Sequence, residues 1–158
     1  MAIKHNKQTN IEMSLVTKEN IIEYIPQRTP IVMIDTLELC DGNVTVTNFE
    51  IRGDNIFVKD GILQEPGIIE NIAQTAAAKA GYEIKKYGAE PLVGFIGAIK
   101  DLVIHELPKI GDIIQTTVTM KMEVMGVTLI EGKSTCKGAD IASCEMKIIL
   151  QKQGQEHD

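Results

Sequence analysis

Only one stretch of this chain carries a sustained helical period. From Pro66 to Gly88, apolar residues recur at Ile68, Ile69, Ile72, Ala73, Ala76, Ala77, Ala80 and Ile84, at the spacing of roughly 3.6 residues that gives a helix one apolar face. Pro66 suits the first turn, where a missing N–H needs no partner, and Gly88 suits a left-handed C-terminal cap. An apolar face so rich in Ala predicts close packing against a sheet, and the flanking sequence supplies the strands. Thr17–Tyr24 predicts a short helix with Thr17 as N-cap, Ile21, Ile22 and Ile25 as its stripe and Pro26 as its stop. The β-rich runs Ile31–Leu39 and Val44–Ile51 flank an Asp41-Gly42 turn signal and predict a hairpin, the second run alternating through Val44, Val46, Asn48 and Glu50. Residues 53–65, punctuated by Gly, Asp and Asn, read as a loop. Beyond Pro91 the run Val93–His105 is apolar with several Gly and is followed by a Pro108–Asp112 turn. Ile113–Val124, Val127–Lys137 and Ile141–Leu150 are three more β-rich runs, separated by Gly126 and Lys137–Asp140, which predicts an antiparallel meander. One helix among segregated strands is α+β, with an antiparallel sheet wrapped around one long central helix.

A length of 158 residues with 44% hydrophobic and 24% charged residues is that of one domain, 1–158, able to bury a real core. Its ordered part is expected at about 17–152, between polar, frayed ends at roughly 1–14 and 152–158. Sixteen Lys and Arg against 22 Asp and Glu give a net charge of −6, and with six aromatics and no Trp this excludes a nucleic-acid-wrapping role. Cys40, Cys136 and Cys144 are an odd number without metal or redox spacing and read as buried thiols in a reducing cytoplasm. The first fourteen residues lack an apolar core, so no secretory signal is expected, and no apolar run is long enough to span a membrane. Three scattered His offer no ligand spacing, so neither a metal nor another cofactor is expected.

Four pieces of sequence, in order, resemble the hotdog-fold 3-hydroxyacyl-acyl-carrier-protein dehydratases. Ile25-Pro26-Gln27-Arg28-Thr29-Pro30, followed by an apolar run and Asp35, is similar to that family's Leu-Pro-His-Arg-x-Pro segment. Pro66-Gly67 through Glu70, Ala73 and Gln74 is similar to its helix start. Gly94-Phe95-Ile96-Gly97-Ala98-Ile99 resembles the strand after the helix, and Pro108 through Gly111-Asp112 resembles a Pro-x-x-x-Gly-Asp turn. Asp60-Gly61-Ile62-Leu63 shortly before Glu70 resembles one branch in particular, the dehydratase-like proteins of aryl-polyene and flexirubin-type pigment pathways.

The resemblance implies removal of water from an acyl thioester. That chemistry needs a base for the proton alpha to the carbonyl, an acid for the leaving hydroxyl, and donors for the enolate-like oxygen. Glu70 matches the family's acidic residue; a first-turn Glu that only complements the helix dipole is the plainer alternative. Gln74, one turn on, either orients Glu70 or satisfies a buried backbone group. Gly67 is the expected N–H donor to the thioester oxygen, or simply helix-entry chemistry. The family's catalytic His is absent, since no His lies between His5 and His105, and Gln27 stands where the first motif has another. Asp60 is the local candidate base, with an Asp-Gly turn as its alternative, and His105 reads as an ordinary strand residue.

An apolar tunnel for the acyl chain is expected from Phe95, Ile96, Gly97 and the Ala face of the helix. Lys59, Lys79, Lys85, Lys86 and Lys100 are candidates for a basic patch that docks an acidic acyl carrier protein. The expected partners are the acyl carrier protein or acyl thioester and a second hotdog subunit in a homodimer or heterodimer, with no nucleic acid and no membrane. Three functions fit: a dehydratase using Glu70 and Asp60, a partner subunit of a heteromeric dehydratase with little activity alone, and an acyl thioesterase.

Overall fold

The computed structural model describes residues 13–152. The frayed ends and the missing signal segment expected from sequence concern residues that fall, except for 13, 14 and 152, outside that range. A 3₁₀ turn (Ile21–Glu23) precedes β1 (Thr36–Asp41), β2 (Val44–Glu50), the two-residue strands β3 (Val58–Lys59) and β4 (Ile62–Leu63), α1 (Glu65–Tyr87), β5 (Leu92–Ile104), β6 (Ile113–Val124), β7 (Val127–Cys136) and β8 (Ala139–Lys152). Six strands form one antiparallel sheet in the order β1-β2-β6-β7-β8-β5, with α1 lying against it, and β3-β4 form a separate small hairpin. This is the α+β arrangement expected, a sheet around one long helix.

Helix α1 runs as its period predicts, with Pro66 in the first turn and Gly88 capping it at φ +69. Its N-terminal half carries bulky Ile68 and Ile72, both fully buried with Phe49, Ile114, Ile130 and Met146 of the sheet. Gly132 on β7 makes room for this: a Cβ there would lie 2.4 Å from Ile72 Cγ2. The other side of α1 is covered by the N-terminal segment, where Val16, Ile21, Ile25, Ile34 and Leu37 gather around Ala78. The buried face of the helix also carries polar Asn71, Gln74 and Thr75.

Two local expectations are corrected. The Thr17–Tyr24 helix is a turn followed by a single 3₁₀ turn with no side-chain cap; a run this short cannot repay helix nucleation. Strand β1 starts at Thr36 rather than Ile31, because side chains of α1 take the hydrogen bonds of residues 31–33. The inward face of β2 is Thr45, Thr47 and Phe49, with Val44, Val46 and Asn48 half-buried on the other. Strands β6, β7 and β8 form the antiparallel meander expected, and β5 pairs with β8 to become the sheet edge.

Two predictions follow from this packing. Gly81 faces the Tyr24 carbonyl, and a Cβ there would lie 1.8 Å from that oxygen. Helix propensity favours Gly81→Ala by about 1 kcal/mol, but the clash with backbone outweighs it. We expect a net loss of about 2–3 kcal/mol, a fall in Tm of roughly 4–10 °C by circular dichroism. An unchanged or raised Tm would mean that Tyr24 does not lie against the helix. The free thiols of Cys40, Cys136 and Cys144 are all pushed above the ordinary value of 9.0, chiefly by burial. Their folded form therefore holds its proton, and the stability this adds is lost as pH rises through the raised values. Iodoacetamide at pH 8 should label all three much more slowly in the folded chain than in guanidinium, as mass spectrometry would show.

Candidate active site

A cavity of about 870 Å³ opens between the C-terminal half of α1 and the sheet. Ala73, Ala76, Ala77 and Ala80 form its helical wall, where the short side chains leave space that Ile68 and Ile72 fill further up. Phe95 and Ile96 of β5 and Ile130 and Ile148 of the sheet face them. These alanines are half-buried; Ala73 and Ala76 pack against the sheet core and also line the cavity.

Glu70 stands in this wall, and Gln74 holds it there. Gln74 Nε2 donates to Glu70 Oε1 at 2.8 Å and to the Ile31 carbonyl at 2.7 Å, while Met33 N–H donates to Gln74 Oε1 at 2.7 Å. The one amide thus bonds both the carboxylate and the backbone of Ile31 and Met33. One turn back, Asn71 Nδ2 donates to the Met33 carbonyl at 2.6 Å, and Asn71 Oδ1 accepts from Thr116 Oγ1 at 2.5 Å. Thr116 Oγ1 is also 2.8 Å from Ser134 Oγ. A buried hydrogen-bond chain thus runs from the sheet through α1 to the carboxylate. Glu70 Oε2 makes no hydrogen bond among the described residues and is available to a ligand.

The other sequence-selected residues fall as follows. Gly67 is buried, its N–H donates to the Gln64 carbonyl at 3.0 Å, and a Cβ there would lie 2.7 Å from Leu63 Cδ1 and 2.8 Å from Phe57 Cβ. Close packing thus accounts for the glycine, and its N–H is already engaged. Asp60 is exposed at φ +52 beside Gly61 at φ +75, in the tight turn joining β3 to β4, outside the cavity wall. Phe95 lines the cavity and is 52% exposed. Gly97 sits at the β-bulge of β5, where a Cβ would lie 2.9 Å from Ile149 Cδ1, and is not part of the wall. His105, the one histidine among the described residues, is exposed and outside the cavity.

The motifs around the site are mostly structural. Asp35 is buried and accepts two hydrogen bonds from Arg52, at 2.9 and 3.0 Å, and one from the Glu50 N–H at 2.8 Å. That carboxylate raises the Arg52 guanidinium further above its ordinary range. At the Pro108–Asp112 turn, Asp112 is held below the usual carboxylate range first by the Lys109 N–H and then by Lys137. The expected basic patch loses a member: Lys79 is buried and paired with Glu83. Lys85 pairs with Glu23 at 2.6 Å and lies over Tyr24, while Lys59 and Lys100 are exposed. Among the described residues there is no cluster of three or more His, Cys, Asp or Glu able to hold a metal ion, and no helix long and apolar enough to cross a membrane.

A family described as ApeP-like, ApeP dehydratase, matches residues 19–157. No curated protein sequence matches significantly. Among solved structures, the dehydratase heterocomplex ApeI:P from Xenorhabdus doucetiae is similar with a TM-score of 0.78 at 16% identity, over 84% of this chain and 91% of that one. The uncharacterized protein PH1136 from Pyrococcus horikoshii is similar at 0.64 and 11% identity, over 83% and 93%. A hypothetical thioesterase with coenzyme A from Streptococcus pneumoniae is similar at 0.60 and 9% identity, over 75% and 90%.

Replacing Gln74 by Leu strands the buried Met33 N–H and Ile31 carbonyl, each at about 1–3 kcal/mol. We expect Gln74→Leu to lower stability by about 3 kcal/mol, read as a fall in the urea midpoint. A midpoint within error of the parent would mean that residues 31–33 do not depend on this amide.

Proposed function

Because the chain belongs to the ApeP-like dehydratase family, we propose that it is the Glu70-bearing subunit of a heteromeric dehydratase acting on 3-hydroxyacyl thioesters of an acyl carrier protein. The observation that carries this reading is a half-complete site. A carboxylate fixed by Gln74 faces a long, largely apolar cavity whose wall contains no histidine. In this reading the acyl chain lies along the alanines of α1, and Glu70 gives its proton to the 3-hydroxyl as the C–O bond breaks. A base from the second subunit removes the proton from the carbon next to the carbonyl. The products are the unsaturated thioester and one water.

Two features support a second subunit. Asp60, the in-chain candidate base, is an exposed turn residue whose positive φ explains an Asp-Gly pair without catalysis. Strand β5 is an edge with Phe95, Ile96, Ile99, Leu102 and Val103 exposed, apolar surface of the kind a partner covers. Phe95 and Ile96 belong to that edge and to the cavity wall together, so a chain added there would also close the cavity. The similar chain from X. doucetiae belongs to a dehydratase heterocomplex. We read the protein as cytoplasmic, in keeping with its free thiols.

The test is mass spectrometry of a 3-hydroxyacyl thioester on acyl carrier protein. The chain alone should leave it unchanged, and the chain with a histidine-bearing hotdog partner should remove one water. Glu70→Gln should slow that loss by at least about 100-fold. Dehydration by the chain alone would overturn the need for a partner, and release of free thiol would replace the dehydratase reading with a thioesterase.

A further inference from the structure

Gln27 shares the cavity wall with Glu70, and it is the residue of the 26–30 turn whose side chain the fold leaves unused. Its backbone is firmly held. Arg28 Nη1 donates to the Ile25 carbonyl at 2.7 Å and to the Gln27 carbonyl at 2.8 Å, and Ile25 is buried in the core beside α1. The side-chain Oε1 of Gln27 is nevertheless buried with no hydrogen-bond partner among the described residues. Thr45 Oγ1 shares that condition but lies away from the cavity wall. The contrast with Gln74, whose amide makes three bonds to protein, is sharp. A buried amide oxygen without a partner is costly, and such groups in native folds call for an explanation.

The chemistry of the occupant narrows what the partner is. An amide oxygen accepts hydrogen bonds and does not donate them. Within a 3-hydroxyacyl thioester the carbonyl oxygen, the sulfur and the alkyl chain offer no N–H or O–H. The 3-hydroxyl is the one donor of the acyl part. Resting on the function proposed above, we infer that Gln27 is a specificity-determining residue that accepts the hydrogen bond of the 3-hydroxyl, turning a lone pair of that oxygen toward Glu70. When Glu70 protonates the hydroxyl and the C–O bond breaks, Gln27 holds a hydrogen of the departing water. The fixed Pro26–Arg28 backbone gives this contact its reach, and a thioester without the hydroxyl gains nothing from it.

The experiment compares two probes, 3-hydroxydecanoyl-pantetheine and decanoyl-pantetheine, titrated calorimetrically into the full chain. Wild type should bind the hydroxylated probe more tightly. Gln27→Leu should weaken that probe about 5- to 10-fold, the worth of one hydrogen bond, and leave the decanoyl probe within about 2-fold. Gln27→Glu, which keeps an acceptor, should retain most of the preference. Since no protein bond is lost, the Tm of Gln27→Leu should stay level or rise. Equal weakening of both probes, or no weakening of either, overturns the role of Gln27 while leaving the thioester reading in place. If neither probe binds wild type, the thioester reading itself falls, and this inference with it.

Discussion

Two side-chain amides on one face of α1 do for residues 31–33 what a neighbouring strand would do. An extended segment must place its N–H and C=O groups somewhere, and a helix backbone has none to spare. Gln74 and Asn71, three residues apart and both fully buried, supply the missing donors and acceptor. Removing a partner from such a buried network costs more than each bond adds singly. The segment held this way leads from the turn that carries Gln27 into β1, and it seals the side of the helix that the sheet does not reach. The same Gln74 amide fixes Glu70, so the geometry of the carboxylate and the seating of the N-terminal segment are one constraint. Asn71 extends it to the sheet through Thr116 and Ser134.

How much of this was readable from residues depended on distance along the chain. The extent of α1, the strands after it and the facing of Glu70 and Gln74 follow from period and spacing, which are local. The partners of Gln74 lie 41 and 43 residues away, and nothing in the period announces them. Reading Ile31–Leu39 as one strand failed for that reason: its apolar residues fit a sheet, but its first three backbone positions were claimed by a helix. The inward face of β2 carries Thr47, paired with Thr75 of α1 at 2.7 Å, a contact that the alternation of the run does not announce. Asp60 and Gly67 carried plausible chemistry in sequence; a left-handed turn and a close approach to Leu63 and Phe57 account for those residue types in the fold. Gln27 read as a subtraction, the place of a missing histidine; the fold sets its unpartnered oxygen in the cavity wall.

The cavity arises from a change of residue size along one helix. Where α1 carries Ile68 and Ile72 it is wedged into the sheet, aided by the bare backbone of Gly132; where it carries alanines the same two surfaces part. No lid or insertion is needed to make the space. Glu70 lies at the junction of the two regimes, between a packed end and an open one, its direction fixed by Gln74.

The two margins of the sheet differ in how much backbone they leave unpaired. Along β1, Val16 lies antiparallel across Leu37 with both backbone bonds made, so that margin is already partly occupied by the chain itself. Along β5 the margin is bare for most of thirteen residues. Among the described residues, the margin left open to a further strand is therefore the one at β5.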